Sequence, residues 1–288
     1  MIFGLFDYSY RFFRLDIFGM TQFGAVMRKL PGVIKAGTRA KSVKLVVFDI
    51  YNTIVIPDRG LPDAPIEAFS RVFENFGLNV SKSLIYRDYG NDKGVHLGRI
   101  LGEESVAKQA EGLKRKFGEK GMKELMFREL EAKQCEILED EKYSRLVPGF
   151  IGMIEDLKYM GVEHFCTTTG FNEKMQNVVL KHMKKQGFTP FLACASDTYA
   201  HPRPDPIGMR KIMEACGITC PSEVVKVGDT VADMKEATNT SPLLAAVGVK
   251  GTVPEPTLTA NGAWYVINTV NELPFVINRL EQSRNTVD

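Results

Sequence analysis

The chain contains a series of short apolar runs separated by helical stretches, and this alternation constrains its fold more than any other feature. Each run is apolar along most of its length, as is typical of strands buried on both faces of a parallel sheet. The runs are residues 44–49, 162–168, 191–196, 224–228 and 243–249. Helical stretches lie between them, notably at 172–186 and 205–216. Strands that alternate with helices predict an α/β fold built on a doubly wound, mostly parallel, Rossmann-like sheet.

One block of the sequence interrupts this alternation. Between about residue 65 and residue 148 the chain is charged and helical, and it contains no convincing strand. A helical block inserted between the first strand and the others predicts a second domain that caps the core. The predicted division is a leader at 1–43, a core at 44–64 and 146–288, and a helical cap at 65–145.

The leader at residues 1–43 differs from the rest of the chain in composition. It carries seven basic and two acidic residues, a net charge of +5, and it is dense in Phe and Tyr. A basic, acid-poor leader of this kind is typical of an organelle transit peptide. An extra helix packed on the core and a disordered tail are the alternatives. The sequence therefore leaves two locations open, the cytoplasm and the mitochondrion.

The overall composition excludes several classes of protein. Hydrophobic residues make up 44% and charged residues 25% of the chain, which excludes a collagen, a coiled coil and a wholly disordered chain. The 37 basic residues are balanced by 35 acidic ones, so charge does not suggest a nucleic-acid partner. No apolar run reaches the roughly 18 residues that a membrane-spanning helix needs. Five cysteines spread through apolar segments predict buried thiols in a reducing compartment, without a zinc site.

Polar residues follow the predicted strands, where an open parallel sheet binds its ligands. Singly, each has an ordinary structural explanation, because an Asp after a strand often caps the next helix. Four such strand ends in one order, with a helical insertion after the first, are far more specific. The residues are Asp49, Tyr51 and Thr53 after the first run, Thr169 and Gly170 after the second, Arg203 after the third, and Asp229 and Asp233 after the fourth.

This order of strand-end residues resembles the haloacid dehalogenase superfamily. The resemblance implies that Asp49 is a nucleophile that attacks phosphorus and forms an aspartyl-phosphate. It implies that Thr169 and Gly170, at a helix start, bind phosphoryl oxygens. Arg203 would be the fixed cation that neutralises developing negative charge.

The resemblance also implies Mg²⁺ as a cofactor. The expected ligands are the carboxylates of Asp49 and Asp229 and the backbone carbonyl of Tyr51, because Mg²⁺ takes hard oxygen ligands. Asp233, one helical turn beyond Asp229, is expected to support the site by ordering a bound water or Asp229 itself.

The residue two positions after the nucleophile distinguishes branches of the superfamily. Its common phosphatases carry a second Asp there as the general acid and base, and this chain has Tyr51. A phenol with a pKa of about 10 is a poor substitute at neutral pH. The phosphonoacetaldehyde hydrolase branch does without that Asp because it breaks a carbon–phosphorus bond.

Several segments are similar to that branch, and together they cover about residues 44–279. They are residues 64–69, 89–96, 167–175, 201–204, 227–233 and 260–279. The resemblance implies that Lys93 forms a Schiff base with the substrate aldehyde, whereas a lysine in a charged helical region is otherwise usually solvated. His96, one turn further on, would shuttle protons during imine formation, and a histidine that only packs in the cap is the alternative.

Four departures from the branch bear on the substrate. Tyr51 and Asn52 replace a small Ala-Gly pair, and the loop at 54–64 is longer. Tyr89 stands where the branch has Met, and Phe171 replaces a Tyr. The expected reaction is therefore cleavage of phosphonoacetaldehyde or a close analogue, by a homodimer acting on a small phosphonate. A divergent Mg²⁺-dependent phosphatase and a catalytically weak homologue that binds a phosphorylated ligand are the alternatives.

Overall fold

The structure is a computed structural model, and it describes residues 42–285 of the chain. The predicted leader at 1–43, with its transit-peptide, helix and tail alternatives, lies outside the described residues except for positions 42 and 43. No helix in this described part of the chain is long and apolar enough to cross a membrane.

Eight strands in the described residues form two sheets. In chain order they are β1 (Leu45–Phe48), β2 (Val55–Ile56), β3 (Arg145–Leu146), β4 (His164–Thr168), β5 (Ala193–Cys194), β6 (Val224–Gly228), β7 (Ala245–Val249) and β8 (Tyr265–Ile267). Six of them make a parallel sheet in the order β5-β4-β1-β6-β7-β8. Because β1 is flanked by β4 and β6, Phe48 lies beside Thr167 on one side and Val227 on the other. The residues that follow these three strands therefore meet at one edge of the sheet.

Helices connect the strands and cover both faces of the parallel sheet. In chain order they are α1 (Ala64–Asn75), α2 (Lys82–Arg87), α3 (Lys93–Gly102), α4 (Glu104–Gln109), α5 (Glu111–Glu139), α6 (Phe150–Tyr159), α7 (Glu173–Lys185), α8 (Ile207–Ala215), α9 (Val231–Thr240), α10 (Glu255–Ala260) and α11 (Leu273–Asn285). The long α5 is broken at Gly118, whose φ of 71° and ψ of 159° are not helical. The first five helices all lie between β2 and β3 in the chain.

Both faces of β1 are buried, which explains why the run lacks a polar alternation. Val46 and Phe48 belong to one apolar cluster, whereas Leu45 and Val47 belong to a second cluster that includes residues of α8 and α9. Burying one such side chain stabilises the fold by about 1.5–3 kcal/mol. The central strand is thus held in place on both sides, and Asp49 follows directly after it.

The structure confirms the α/β class and the parallel sheet. The run at 224–228 coincides with β6, and the helical stretch at 172–186 contains α7. The expectation of no strand between about residue 65 and residue 148 is wrong in one detail, because β3 lies in this block and pairs antiparallel with β2 through Val55 and Leu146. Strands of two residues are too short to show a period in the sequence. This pair joins the two ends of the helical insertion, and the division into cap and core domains stays a prediction.

Candidate active site

Three buried acids lie together where β1 and β6 end. Asp49 directly follows β1 and Asp229 directly follows β6, while Asp233 lies in the first turn of α9. At most 3% of each residue is exposed. One carboxylate oxygen from each lies within 4.8 Å of the others, so the three could hold a metal ion. Sequence reasoning predicted this grouping from the strand ends.

Arg203 connects two of these acids. Its Nη1 atom lies 2.7 Å from Asp49 Oδ1 and 2.6 Å from Asp233 Oδ1, in a buried ion-pair cluster. Burial raises the pKa of Asp49 to about 6, although the positive charge of Arg203 opposes this shift. Asp49 is therefore mainly a carboxylate at neutral pH, which is the form that can attack an electrophile.

Asp233 is occupied by structural contacts on both oxygens. Its Oδ2 atom accepts hydrogen bonds from the backbone nitrogen of Thr230 at 3.1 Å and from the Thr230 hydroxyl at 2.6 Å. The first of these, together with a bond from the Asp233 backbone to the Thr230 side chain, makes a capping box at the start of α9. Burial acts to raise the pKa of Asp233, but the charges of Arg203 and Lys226 outweigh it and lower the pKa. Asp233 is thus a fixed anion that holds the neighbouring cations in place.

Asp229 has a different environment, because its hydrogen bonds come from neutral hydroxyl groups. Thr53 Oγ1 donates to Oδ1 at 3.0 Å, and Thr252 Oγ1 donates to Oδ2. Burial raises the pKa of Asp229 well above its usual range, and the negative charges of Asp49 and Asp233 raise it further. A divalent cation between Asp49 and Asp229 would relieve this repulsion, and carboxylate oxygens are hard ligands that suit Mg²⁺. The residues present therefore fit a metal ion of this kind.

A second buried cation, Lys226, was missed by the sequence reasoning. Its Nζ atom lies 2.6 Å from Thr168 Oγ1, 3.2 Å from Asp233 Oδ1 and 3.1 Å from Glu236 Oε2. Burial acts to lower the pKa of Lys226, but Glu236 and Asp233 outweigh it and raise the pKa. The available signal was a lysine inside the apolar run at 224–228, where a strand buried on both faces leaves a charge no access to water.

The residues predicted to bind phosphate lie at the end of β4. Thr169 is buried, and its Oγ1 atom accepts a hydrogen bond from the Phe171 backbone nitrogen at 3.2 Å. At Gly170, an added Cβ atom would lie 2.6 Å from the carbonyl oxygens of both Gly90 and Asn91. Only glycine allows this approach between the two loops. Phosphate binding by Thr169 and Gly170 stays a prediction.

Lys93, the first residue of α3, is buried with only 2% exposed. Its Nζ atom lies 5.5 Å from the ring centroid of Tyr89 and 5.4 Å from that of Phe171. Burial and then the positive charge of Arg203 lower the pKa of Lys93 to about 8, while the negative charge of Asp49 opposes the shift. A useful fraction of this amine is therefore neutral near physiological pH, as nucleophilic addition to a carbonyl requires.

Predicted site residues from the helical insertion and from the edge of the sheet share one small cavity. The cavity volume is about 10 Å³, close to the least that holds one water molecule. Residues that line it include Asp49, Tyr51, Lys93, Thr169, Gly170 and Arg203. The structure thus brings the predicted nucleophile, amine, hydroxyl and cation to one place.

The loop before α3 is seated on the core through Gly90. Arg203 Nε donates to the Gly90 carbonyl oxygen at 2.8 Å. Gly90 has a φ of 87°, and an added Cβ atom would lie 2.4 Å from Thr230 Oγ1. A second link joins Ser196 Oγ to Asp92 Oδ2 at 2.8 Å. These contacts keep the amine of Lys93 at the carboxyl edge of the sheet.

Tyr51 is not suited to acid catalysis in this arrangement. Its hydroxyl oxygen accepts a hydrogen bond from the Ala64 backbone nitrogen at 3.0 Å. Burial raises the pKa of Tyr51 above its usual value. The side chain therefore stays a neutral phenol that joins the nucleophile loop to the start of α1. The predicted role of the Tyr51 carbonyl as a metal ligand stays a prediction.

His96 lies one turn after Lys93 on α3, and its ring is buried against α1. Its Nε2 atom lies 2.8 Å from the Ile85 carbonyl oxygen, and its ring centroid lies 4.4 Å from that of Phe69. Burial and the charge of Lys93 lower the pKa of His96 to about 3, so the ring is neutral. His96 is not among the residues that line the small cavity. These contacts favour the packing alternative, and the proton-shuttle role stays a prediction.

This chain is similar to known proteins in sequence and in fold. The model of one family, haloacid dehalogenase-like hydrolase, matches residues 43–239. The phosphonoacetaldehyde hydrolase of Latilactobacillus sakei is 30% identical over 262 residues, which cover 83% of this chain and 96% of the relative. A bifunctional phosphonoacetaldehyde hydrolase/aminoethylphosphonate transaminase of Clostridioides difficile is 31% identical over 73% of this chain and 32% of its own length. A phosphonoacetaldehyde hydrolase-like protein from Oleispira antarctica shares the fold with a TM-score of 0.78 at 22% identity, covering 89% of this chain and 99% of that one.

Proposed function

We propose that this chain, which belongs to the haloacid dehalogenase-like hydrolases, hydrolyses the carbon–phosphorus bond of phosphonoacetaldehyde or a close analogue. The observation that carries the proposal is the position of Lys93. A buried amine with a pKa of about 8 lines the same cavity as the carboxylate of Asp49. A phosphatase has no evident use for an amine that can form an imine at this point.

Lys93 would prepare the substrate carbon. Its neutral amine adds to the aldehyde and, with loss of one water, forms an imine that becomes an iminium on protonation. The rings of Tyr89 and Phe171 lie on the amine and keep bulk water away from it. The iminium is an electron sink next to the carbon that bears phosphorus.

Asp49 would then attack phosphorus. The carbon–phosphorus bond breaks, its electron pair passes into the iminium to give an enamine, and Asp49 carries the phosphoryl group. Protonation and hydrolysis of the enamine release acetaldehyde and the free amine, and a second water releases phosphate from Asp49. The net reaction consumes one water molecule. Arg203, which contacts Asp49 at 2.7 Å, would stabilise the charge that develops on the phosphoryl oxygens.

Thr169 and Gly170 would complete the phosphoryl site, since both line the cavity beside Asp49. Asp49, Asp229 and the Tyr51 carbonyl would hold Mg²⁺, with Asp233 behind them. When bound, the ion would supply positive charge next to the phosphoryl group and offset the repulsion between buried carboxylates. A homodimer is part of the proposal and is tested by light scattering of the purified chain.

Reductive trapping tests the proposal directly. Borohydride added with phosphonoacetaldehyde should fix a two-carbon adduct on the peptide that contains Lys93, as read by mass spectrometry. The yield should rise with pH and level off above about 8, because only the neutral amine adds to the aldehyde. Lys82 is an exposed lysine at the start of α2, so Lys82→Arg is the matched control and should leave the adduct unchanged. Release of acetaldehyde without any adduct on Lys93 would contradict the Schiff-base proposal.

A further inference from the structure

We infer that Asn52 is a positioning residue that holds Tyr89, and through it the amine of Lys93, in place over the nucleophile loop. The effect on turnover rests on the proposed function, whereas the physical link between Asn52 and the cap does not.

The backbone of Asn52 adopts an unusual conformation. Its φ of 65° is left-handed, and among the residues that the structure describes it is the only non-glycine residue with a positive φ. Asn enters this region more readily than most residues, yet a glycine would fit it better. Its backbone nitrogen donates to the Val55 carbonyl oxygen at 2.7 Å, which fixes the turn after Asp49. A side chain kept at such a position is expected to make contacts that glycine could not.

The amide of Asn52 makes those contacts with three distant segments. Nδ2 lies 3.0 Å from Asp63 Oδ2, 3.2 Å from the Tyr89 hydroxyl and 3.3 Å from Thr252 Oγ1. An amide has two hydrogens, so at least one of them is shared between two acceptors. The nucleophile loop is thus joined to the start of α1, to the segment before α3 and to the loop after β7.

Tyr89 transmits this contact to the amine. Its side chain is buried, its ring stacks on Tyr86 with centroids 5.9 Å apart, and its hydroxyl meets Asn52. Lys93 Nζ lies over the same ring, 5.5 Å from the centroid. Because the Tyr89 ring is fixed on one face and at its hydroxyl, it is a rigid surface against which the Lys93 amine packs. Loss of the Asn52 contact would leave the hydroxyl end of the ring free to move and the amine less well positioned.

The third partner extends the link to the acidic cluster. Thr252 Oγ1, which lies near Asn52 Nδ2, also donates to Asp229. Asn52 therefore stands between the cap residue that lies on Lys93 and the hydroxyl that orients Asp229. One amide thus fixes the position of the Lys93 side of the site relative to the Asp229 side.

Asn52→Gly tests the inference because it relaxes the backbone and removes only the side chain. The unfolding midpoint should change little, because relief of the left-handed backbone offsets the lost hydrogen bonds. By contrast, kcat for acetaldehyde release should fall about 10- to 100-fold, as it does when reacting groups are slightly misplaced. KM for the substrate should change less than kcat, because the phosphoryl contacts remain. Hydrogen exchange measured without substrate should be faster across residues 86–96 in the variant.

A double-mutant cycle makes the test specific. Tyr89→Phe removes only the hydroxyl that Asn52 contacts, so it should cause a similar loss, and the double variant should lose little more than either single one. Tyr159→Phe is the control for loss of a tyrosine hydroxyl, since Tyr159 is the last residue of α6 and is 96% exposed. Asn52→Asp should be impaired because it sets a carboxylate against Asp63, and adding Asp63→Asn should restore activity by reversing donor and acceptor.

Unchanged hydrogen exchange over residues 86–96 in Asn52→Gly, or losses that add fully in the double variant, would overturn the inference. A wild-type chain that releases no acetaldehyde would instead defeat the proposed function. The exchange measurement would still decide whether Asn52 holds the cap, so the two failures are distinguishable.

Discussion

Arg203 Nη1 lies 2.7 Å from Asp49 Oδ1, and both side chains are almost completely buried. The same guanidinium contacts Asp233 and the Gly90 carbonyl oxygen, so it joins the nucleophile loop, α9 and the segment before α3. An isolated buried charge is strongly unfavourable, and the two acids compensate that of Arg203. One buried cation therefore serves the electrostatics of the site and the seating of the helical insertion on the sheet.

Replacing Asp49 with Asn should abolish turnover and preserve the fold. The amide cannot attack phosphorus, while Arg203 keeps Asp233 as a partner. In the metal-free protein, the folded-state pKa of Asp49 is raised from 3.8 to about 6, so the folded state binds more protons in this range. The free energy of unfolding of the wild type therefore falls as the pH rises from about 4 to about 6. Above pH 6, Asp49→Asn should be at least as stable as the wild type. Urea unfolding with EDTA and single-turnover assays check both points; retention of a tenth of kcat would refute the role of Asp49.

Asp229 and Asp233 should respond differently to conversion to Asn. Asp229 is a proposed ligand of Mg²⁺, and in the described structure it receives hydrogen bonds only from hydroxyl groups. Asp229→Asn should therefore remove the activity together with its dependence on Mg²⁺. Asp233→Asn should raise the Mg²⁺ concentration needed, by about 10- to 100-fold, as losses of groups behind a metal ligand do. It should also lower stability, because Arg203 and Lys226 lose a counter-ion. The deciding measurements are activity as a function of Mg²⁺ concentration and activity in EDTA. Full activity in EDTA would contradict the metal site.

Lys226→Met should destabilise the fold by about 3–5 kcal/mol, because it leaves Glu236 as a buried acid without its cation. Adding Glu236→Gln should restore part of this loss. Lys211→Met is a matched control, since Lys211 pairs with Glu214 on the surface, and it should change stability by less than about 0.5 kcal/mol. Denaturant unfolding measures the stability of all three variants. Equal effects of the buried and the surface substitution would show that the buried ion pair contributes no more to stability than a surface pair.

The strand ends were predictable from sequence because parallel strands place their carboxyl ends at one edge. Asp49, Thr169 and Asp229 follow apolar runs, so their proximity follows from the alternation of strands and helices. The hydrogen bond between Asn52 and Tyr89 was not predictable, because it depends on how the inserted helices pack on the sheet. The contact of the Tyr51 hydroxyl with Ala64 was missed for the same reason. Tertiary contacts between segments that are distant in the sequence leave no periodic trace in it.

Lys93→Met should make the protein more stable at neutral pH. The pKa of Lys93 falls from 10.5 to about 8 in the folded state, so the unfolded chain binds more protons between these values. The buried ammonium therefore destabilises the fold fully below about pH 8, and the effect vanishes as pH rises to about 10.5. Lys93→Met should raise the free energy of unfolding by about 1–3 kcal/mol at pH 7. Unfolding curves of the wild type and of Lys93→Met at pH 7 and pH 10 measure the difference in free energy of unfolding. A stability gain that is larger at pH 10 than at pH 7 would contradict the prediction.

Lys93→Arg should separate carbon–phosphorus cleavage from ester hydrolysis. Asp49 attacks phosphorus in both reactions, but only the phosphonate leaves an electron pair on carbon that needs an iminium. A guanidinium stays protonated and cannot form an imine, although it keeps the positive charge. The variant should therefore still bind inorganic phosphate and Mg²⁺, as calorimetry would show, while acetaldehyde release falls to background. A departing alkoxide needs a proton donor instead, and Tyr51 is a neutral phenol whose pKa is raised by burial, so the wild type should hydrolyse a simple alkyl ester such as ethyl phosphate poorly. Rapid ester hydrolysis that Lys93→Arg leaves unaffected would favour the divergent phosphatase, because the amine would then have no chemical part in the reaction.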